Sequence, residues 1–124
     1  TAVRARVVPD TKSGTPGADA VKVKGTITWV GQTDAVAAPV VLYDRLFNEP
    51  QPDADGRDFR EVVNPGSKVV VQAWLEPSLA AVAPEARFQF ERHGYFVADR
   101  EAHGVGSPLF NRIATLKDGW APPG

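Results

Sequence analysis

Apolar and polar residues alternate most strictly from Val21 to Val30, where Val21, Val23, Gly25, Ile27 and Trp29 interleave with Lys22, Lys24, Thr26 and Thr28. Side chains of an extended chain point to opposite faces with a period of two, so this segment is predicted to be a half-buried strand. Val3, Ala5 and Val7 against Arg4 and Arg6 repeat the pattern more briefly, and Pro9 to Asp19 between them is rich in Gly, Pro, Ser and Thr. That order predicts strand, flexible loop, strand. Val40–Leu42, Lys68–Leu75, Arg87–Glu91, Tyr95–Ala98 and Leu109–Leu116 are further strand candidates, rich in β-branched and aromatic residues and bounded by Gly or Pro.

Helical signals are few. Asp58 and Glu61 have capping-box spacing and predict a single turn that Asn64, Pro65 and Gly66 would end, and Pro77–Ala83 predicts another. About seven short strands with turn signals between them predict an all-β fold, a barrel or a sandwich. The polar stretch 48–66 carries three prolines and is long for a bare connection, so it is expected to project or to have a task. Ala121-Pro122-Pro123-Gly124 after Trp120 reads as a tail or linker, leaving residues 1–119 as the domain.

Composition narrows the class. A chain of 124 residues with 43% hydrophobic content can bury one core, and 11 Gly with 11 Pro suit a β fold better than a helical one. It starts at Thr1 and contains no Met, which leads us to expect an internal excerpt of a longer polypeptide. With no Cys, disulfides and thiolate-bound metals are excluded, and a reducing compartment fits. No apolar run approaches the roughly 18 residues of a membrane span. Fourteen Lys and Arg against 15 Asp and Glu give a net charge of -1, so nucleic acid would have to be bound at a local site and not by bulk attraction.

Catalytic signatures are missing. Ser13, Ser67, Ser78 and Ser107 include no G-x-S-x-G elbow, and Gly104-Val105-Gly106 lacks the Lys and hydroxyl residue of a phosphate loop. His93 and His103 are each followed by Gly with no second ligand at a metal spacing, so both are read as ordinary turn or surface residues, His93-Gly94 marking a hairpin turn. The segment Phe88 to Phe96 then remains. Its plain reading is a hairpin with Phe88, Phe90 and Phe96 in the core. Its chemical reading is that Gln89, with one amide donor edge and one acceptor edge, and Arg92, with a guanidinium fork, can match an unpaired base. In an unbroken strand positions 89 and 92 face opposite ways, so Arg92 must lie where the chain leaves the pleat.

Five motifs in order carry a family resemblance: Val21 to Val30, Leu42-Tyr43-Asp44-Arg45-Leu46-Phe47, Glu76-Pro77-Ser78-Leu79, Phe88 to Phe96, and Phe110-Asn111-Arg112 with Leu116-Lys117-Asp118 and Trp120. From about Ala20 to Trp120 the chain resembles the C-terminal portion of the glutaminyl-tRNA synthetases. The resemblance implies an antiparallel β-barrel of the class I glutamyl/glutaminyl anticodon-binding type, similar to a ribosomal 5S RNA-binding barrel, mainly the barrel nearer the catalytic domain. It implies that Gln89 and Arg92 help read the middle anticodon base, a uracil, and that the 48–66 loop lies on the side that communicates with the catalytic domain. It also implies tRNA(Gln) as partner, a monomeric cytoplasmic ligase, and ATP with Mg used by a catalytic domain outside this segment, which itself holds no catalytic or metal residues. Some motifs look shared with archaeal and eukaryotic glutamyl-tRNA synthetases, which leaves that branch as an alternative. A free-standing ribosomal-RNA-binding barrel and a protein-interaction sandwich are the others.

Overall fold

In the computed structural model residues 2–117 are described; the expected linker from Trp120 and the motif residue Asp118 lie outside them. Five strands form among these residues: β1 (Val36–Tyr43), β2 (Lys68–Leu75), β3 (Arg87–Phe90), β4 (Gly94–Ala98) and β5 (Phe110–Ala114). They make one sheet in the order β2-β1-β5-β4-β3. Two sequence-local hairpins, β1–β2 and β3–β4, are thus joined through β5, which runs antiparallel to β4 and parallel to β1. The sheet is mixed, not purely antiparallel as expected.

The core lies on one face. Ala38, Val40, Leu75, Phe96, Ala98 and Phe110 are buried there, with Leu42, Ala73, Phe88 and Phe90 packed against them. Phe110 is the one large side chain among the described residues that is fully enclosed. Its ring meets those of Phe88 and Phe90 edge-on at 6.2 and 5.6 Å, and Phe90 stacks on Phe96 at 4.3 Å. The plain reading of the 88–96 hairpin as a core element therefore holds.

His103 departs from expectation. It is 5% exposed, and its ring stands edge-on to Phe110 at 5.1 Å. Its Nδ1 lies 3.1 Å from the Leu109 N–H and its Nε2 2.9 Å from the Val82 carbonyl. A ring that accepts at Nδ1 and donates at Nε2 satisfies both contacts, so His103 ties the loop after β2 to the entry of β5. Glycine after it suggested a turn, but a histidine whose two nitrogens both find backbone partners can be buried at little cost. Nearby, Asp99 accepts from the Ala102 and Glu101 backbone N–H groups and from the Asn111 amide at 2.8, 3.0 and 2.7 Å, which together hold its carboxyl below the usual range.

The long segment between β1 and β2 is folded on itself. Asp44 N donates to Ser67 O, Asn64 N to Leu46 O and Asn48 N to Val62 O, a ladder that prolongs the β1–β2 hairpin. Asp58 caps the short 3-10 turn Phe59–Val62 by accepting from Arg60 N, as its spacing predicted. The Arg60 guanidinium also forks onto the Asp58 carboxylate and lowers its pKa. Pro77–Ala81 forms the second predicted turn, likewise 3-10.

Two expectations fail. Neither Val3–Val7 nor Val21–Val30 is a strand, so the described residues form five strands and not seven. The sheet is also open, with β2 and β3 as its edges, and is not closed into a barrel. The alternation at 21–30 states a preference for a half-buried sheet position, but a strand exists only when another edge receives its N–H and C=O groups. No such edge takes this segment up, and Val23, Ile27 and Trp29 are left 72%, 82% and 81% exposed.

Gly94 shows how tightly β4 and β5 meet. Its φ is +137°, and a Cβ there would stand 2.6 Å from the Ala114 carbonyl oxygen. Gly94→Ala should lower stability by about 2 kcal/mol or more, from positive-φ strain and backbone displacement together. Urea unfolding checks this; an unchanged midpoint would mean that β4 and β5 do not approach as described.

Candidate nucleic-acid interface

The β3–β4 hairpin presents two chemically different faces. Phe88 pairs with Phe96 and Gln89 with Tyr95 across the antiparallel register. Directly paired residues share a face, and neighbours along a strand take opposite faces. Phe88, Phe90 and Phe96 therefore look into the core, while Arg87, Gln89 and Tyr95 look outward. Gln89 is exposed, as its position predicts.

The turn falls two residues earlier than His93-Gly94. His93 N donates to Phe90 O at 2.8 Å, so Glu91 and Arg92 are the central turn residues and Gly94 already belongs to β4. Arg92 has φ +69°, in the left-handed region. The chain leaves the pleat there, and Arg92 stands exposed at the tip and not on the buried side. The structure thus sets Gln89 and Arg92 on one short hairpin, Gln89 on its outer face and Arg92 at its end.

Electrostatics favour an anionic ligand locally despite the net charge. Arg45, Arg57, Arg60 and Arg100 are paired with Asp44, Glu49, Asp58 and Glu85. The side chains of Arg87 and Arg92 form no ion pair or hydrogen bond among the described residues. Arg112, on the core side opposite Phe96, donates to the Tyr43 carbonyl at 3.3 Å. Two uncompensated guanidinium groups therefore flank Gln89, with Glu91 the acid beside them.

The other face holds an open cleft of about 870 Å³, with Trp29, Leu42, Val71, Phe88, Phe90 and Phe96 among its walls. Gln89 touches its rim between Phe88 and Phe90, but the register turns its amide away. The cleft opens over the uncovered half of the core, and Glu76, Ser78, Glu91, His93 and Arg112 also border it. Among the described residues no three His, Cys, Asp or Glu side chains gather as a metal site.

The family model described as "tRNA synthetases class I (E and Q), anti-codon binding domain" matches residues 26–99, more than half of the chain and the whole of the hairpin. The chain belongs to this anticodon-binding family. Among curated proteins, the glutamine–tRNA ligase of Cupriavidus taiwanensis is 62% identical over 119 residues, 96% of this chain and 20% of that protein. The glutamine–tRNA ligases of Ralstonia nicotianae and Bordetella avium are 61% and 57% identical over 120 and 121 residues, 97% and 98% of this chain and 21% and 20% of theirs. The chain spans about a fifth of the length of these relatives.

For an anticodon-binding domain, the outer face of the hairpin has suitable chemistry: an amide for a base edge between cations for phosphate or carbonyl oxygens. Reading the sequence singled out Gln89 and Arg92 but passed over Arg87 and Tyr95. Once the turn is known to occupy three residues, alternation alone puts all of 87, 89 and 95 on one side.

A left-handed backbone is costly for arginine and free of steric cost for glycine. Arg92→Gly should therefore leave thermal stability unchanged or raise it by up to about 1 kcal/mol. A clear loss of stability in differential scanning calorimetry would show that the Arg92 side chain supports the fold.

Proposed function

We propose that this chain is the C-terminal anticodon-reading part of a glutamine–tRNA ligase, and that Gln89 and Arg92 read the middle anticodon base. The observation that carries the ligase assignment is identity of 57–62% to glutamine–tRNA ligases across nearly the whole chain. It favours the glutaminyl over the glutamyl branch, and the family match favours a synthetase segment over a free-standing ribosomal-RNA-binding barrel.

The base assignment rests on chemistry. Uracil offers acceptors at O2 and O4 and a donor at N3, and its edge is accessible only when it is unpaired. The Gln89 amide supplies one acceptor and one donor group on the same plane, and the Arg92 fork supplies donors to a carbonyl or phosphate oxygen. Cytosine replaces the N3–H donor with an acceptor and the O4 acceptor with an amine, so the same pair of side chains matches it less well.

The barrel belongs to the whole ligase in this reading. Val21–Val30 has strand alternation and no partner, its Ile27–Val30 end lines the cleft over the core, and β2 and β3 end the sheet unpaired. Strands supplied by the rest of the ligase would pair these edges and cover the cleft. The 48–66 loop, rooted at the far end of the β1–β2 hairpin, would face the catalytic domain, and ATP with Mg would be handled there, by residues outside this chain. The enzyme would act as a cytoplasmic monomer on tRNA(Gln).

Gln89→Ala or Arg92→Ala in the full-length ligase should cost about 1–3 kcal/mol in kcat/KM for charging tRNA(Gln), the range for losing a charge-assisted or otherwise buried hydrogen bond. The loss should be smaller on a transcript whose middle anticodon base is cytosine. Unaltered preference between the two transcripts in both variants would remove the base assignment.

A further inference from the structure

We propose that Tyr95 is the stacking platform on which the middle anticodon base lies while Gln89 reads its edge, an inference that rests on the anticodon reading above. Tyr95 stands directly opposite Gln89 in the β3–β4 register. Cross-strand partners have Cβ atoms about 5 Å apart, close enough for one nucleotide to touch both. An amide bonds a base in its plane and a ring covers the face of that plane, so the two contacts do not compete.

Tyr95 has no evident task inside the fold. Tyr95 is 45% exposed, whereas Phe96 beside it is 3% exposed. Among the described residues it lies against no other aromatic ring, and its hydroxyl forms no hydrogen bond. A tyrosine kept only to fill the sheet would pack or bond as Phe88, Phe90 and Phe96 do.

An irregularity of the sheet shapes one flank of the ring. Phe96 pairs with Arg112 while Tyr95 pairs with Ala114, so Ile113 is the extra residue of a bulge. Bulges re-aim side chains and raise the local twist. This one sets Ile113, itself exposed, and the Ala114 methyl together opposite Tyr95, so the β5 flank of the ring is an apolar border.

The platform also answers an energetic difficulty. An exposed amide that exchanges water for a base gains little, because water bonds it nearly as well. Stacking removes water from one side of the base and is indifferent to its identity, so Tyr95 provides affinity and Gln89 discrimination.

The test uses the full-length ligase and anticodon stem-loop RNAs with uracil, cytosine or an abasic residue at the middle position. Tyr95→Phe should bind the uracil RNA within about twofold of the wild type. Tyr95→Leu, which keeps bulk and apolarity, should weaken binding about 5- to 150-fold, the span of one base–aromatic stack. The loss should be similar for uracil and cytosine and should vanish on the abasic RNA. Wild-type affinity in Tyr95→Leu, or a loss undiminished on the abasic RNA, overturns the platform. Gln89→Ala separates the two ideas: if it leaves the preference for uracil intact while Tyr95→Leu still loses affinity only where a base is present, the reading by Gln89 fails and the platform stands.

Discussion

The position of β5 is the constraint on which the rest of this fold depends. Two hairpins, each able to pair only with itself, become one sheet because β5 enters between them, antiparallel to β4 and parallel to β1. Phe110 on that strand is fully buried and gathers Phe88, Phe90 and His103 around its ring. Removing a buried phenylalanine costs on the order of 3–5 kcal/mol, a large share of what a domain of this size has to lose. The β3–β4 hairpin is held in place by this cluster, so the core side of the hairpin decides where its outer side points.

Alternation then turns packing into display. Each aromatic ring committed to the core side sets its neighbour outward, and Gln89 is exposed because Phe88 and Phe90 are not. The three-residue turn adds Arg92 in a left-handed conformation, outside the pleat. A domain with a net charge of -1 can in this way hold an anionic ligand, since Arg45, Arg57, Arg60 and Arg100 are paired with carboxylates and Arg87 and Arg92 on the hairpin are not.

Much of this was legible in the sequence, and what was not has physical causes. The strands at 68–75, 87–90, 94–98 and 110–114 follow from β-branched and aromatic runs between turn residues, Val40–Leu42 marked only the second half of β1 because Ala37, Ala38 and Pro39 carry no strand signal, and Asp58 was rightly read as a cap. Val21–Val30 has the clearest alternation of all and is not a strand, because pattern records which side of a sheet a residue prefers and nothing about the edge it needs. His103 was misread because burial of a polar ring depends on carbonyl and amide partners at Val82 and Leu109, far apart in the chain. Gln89 and Arg92 were singled out from a motif, whereas the outward position of Tyr95 opposite Gln89 is visible only in the register. Parallel pairing of β1 with β5 joins segments about 70 residues apart, and no local signal announces it.

In the proposed function, the sheet has a core face that further protein finishes and an outer hairpin face that meets RNA. Hydrogen exchange on the full-length ligase, with and without tRNA(Gln), tests that division most directly. We predict slow exchange at residues 21–30 in both states and slowing at residues 88–96 only when tRNA is bound. Fast exchange at 21–30 that slows only with tRNA, or an 88–96 hairpin indifferent to tRNA, would contradict it.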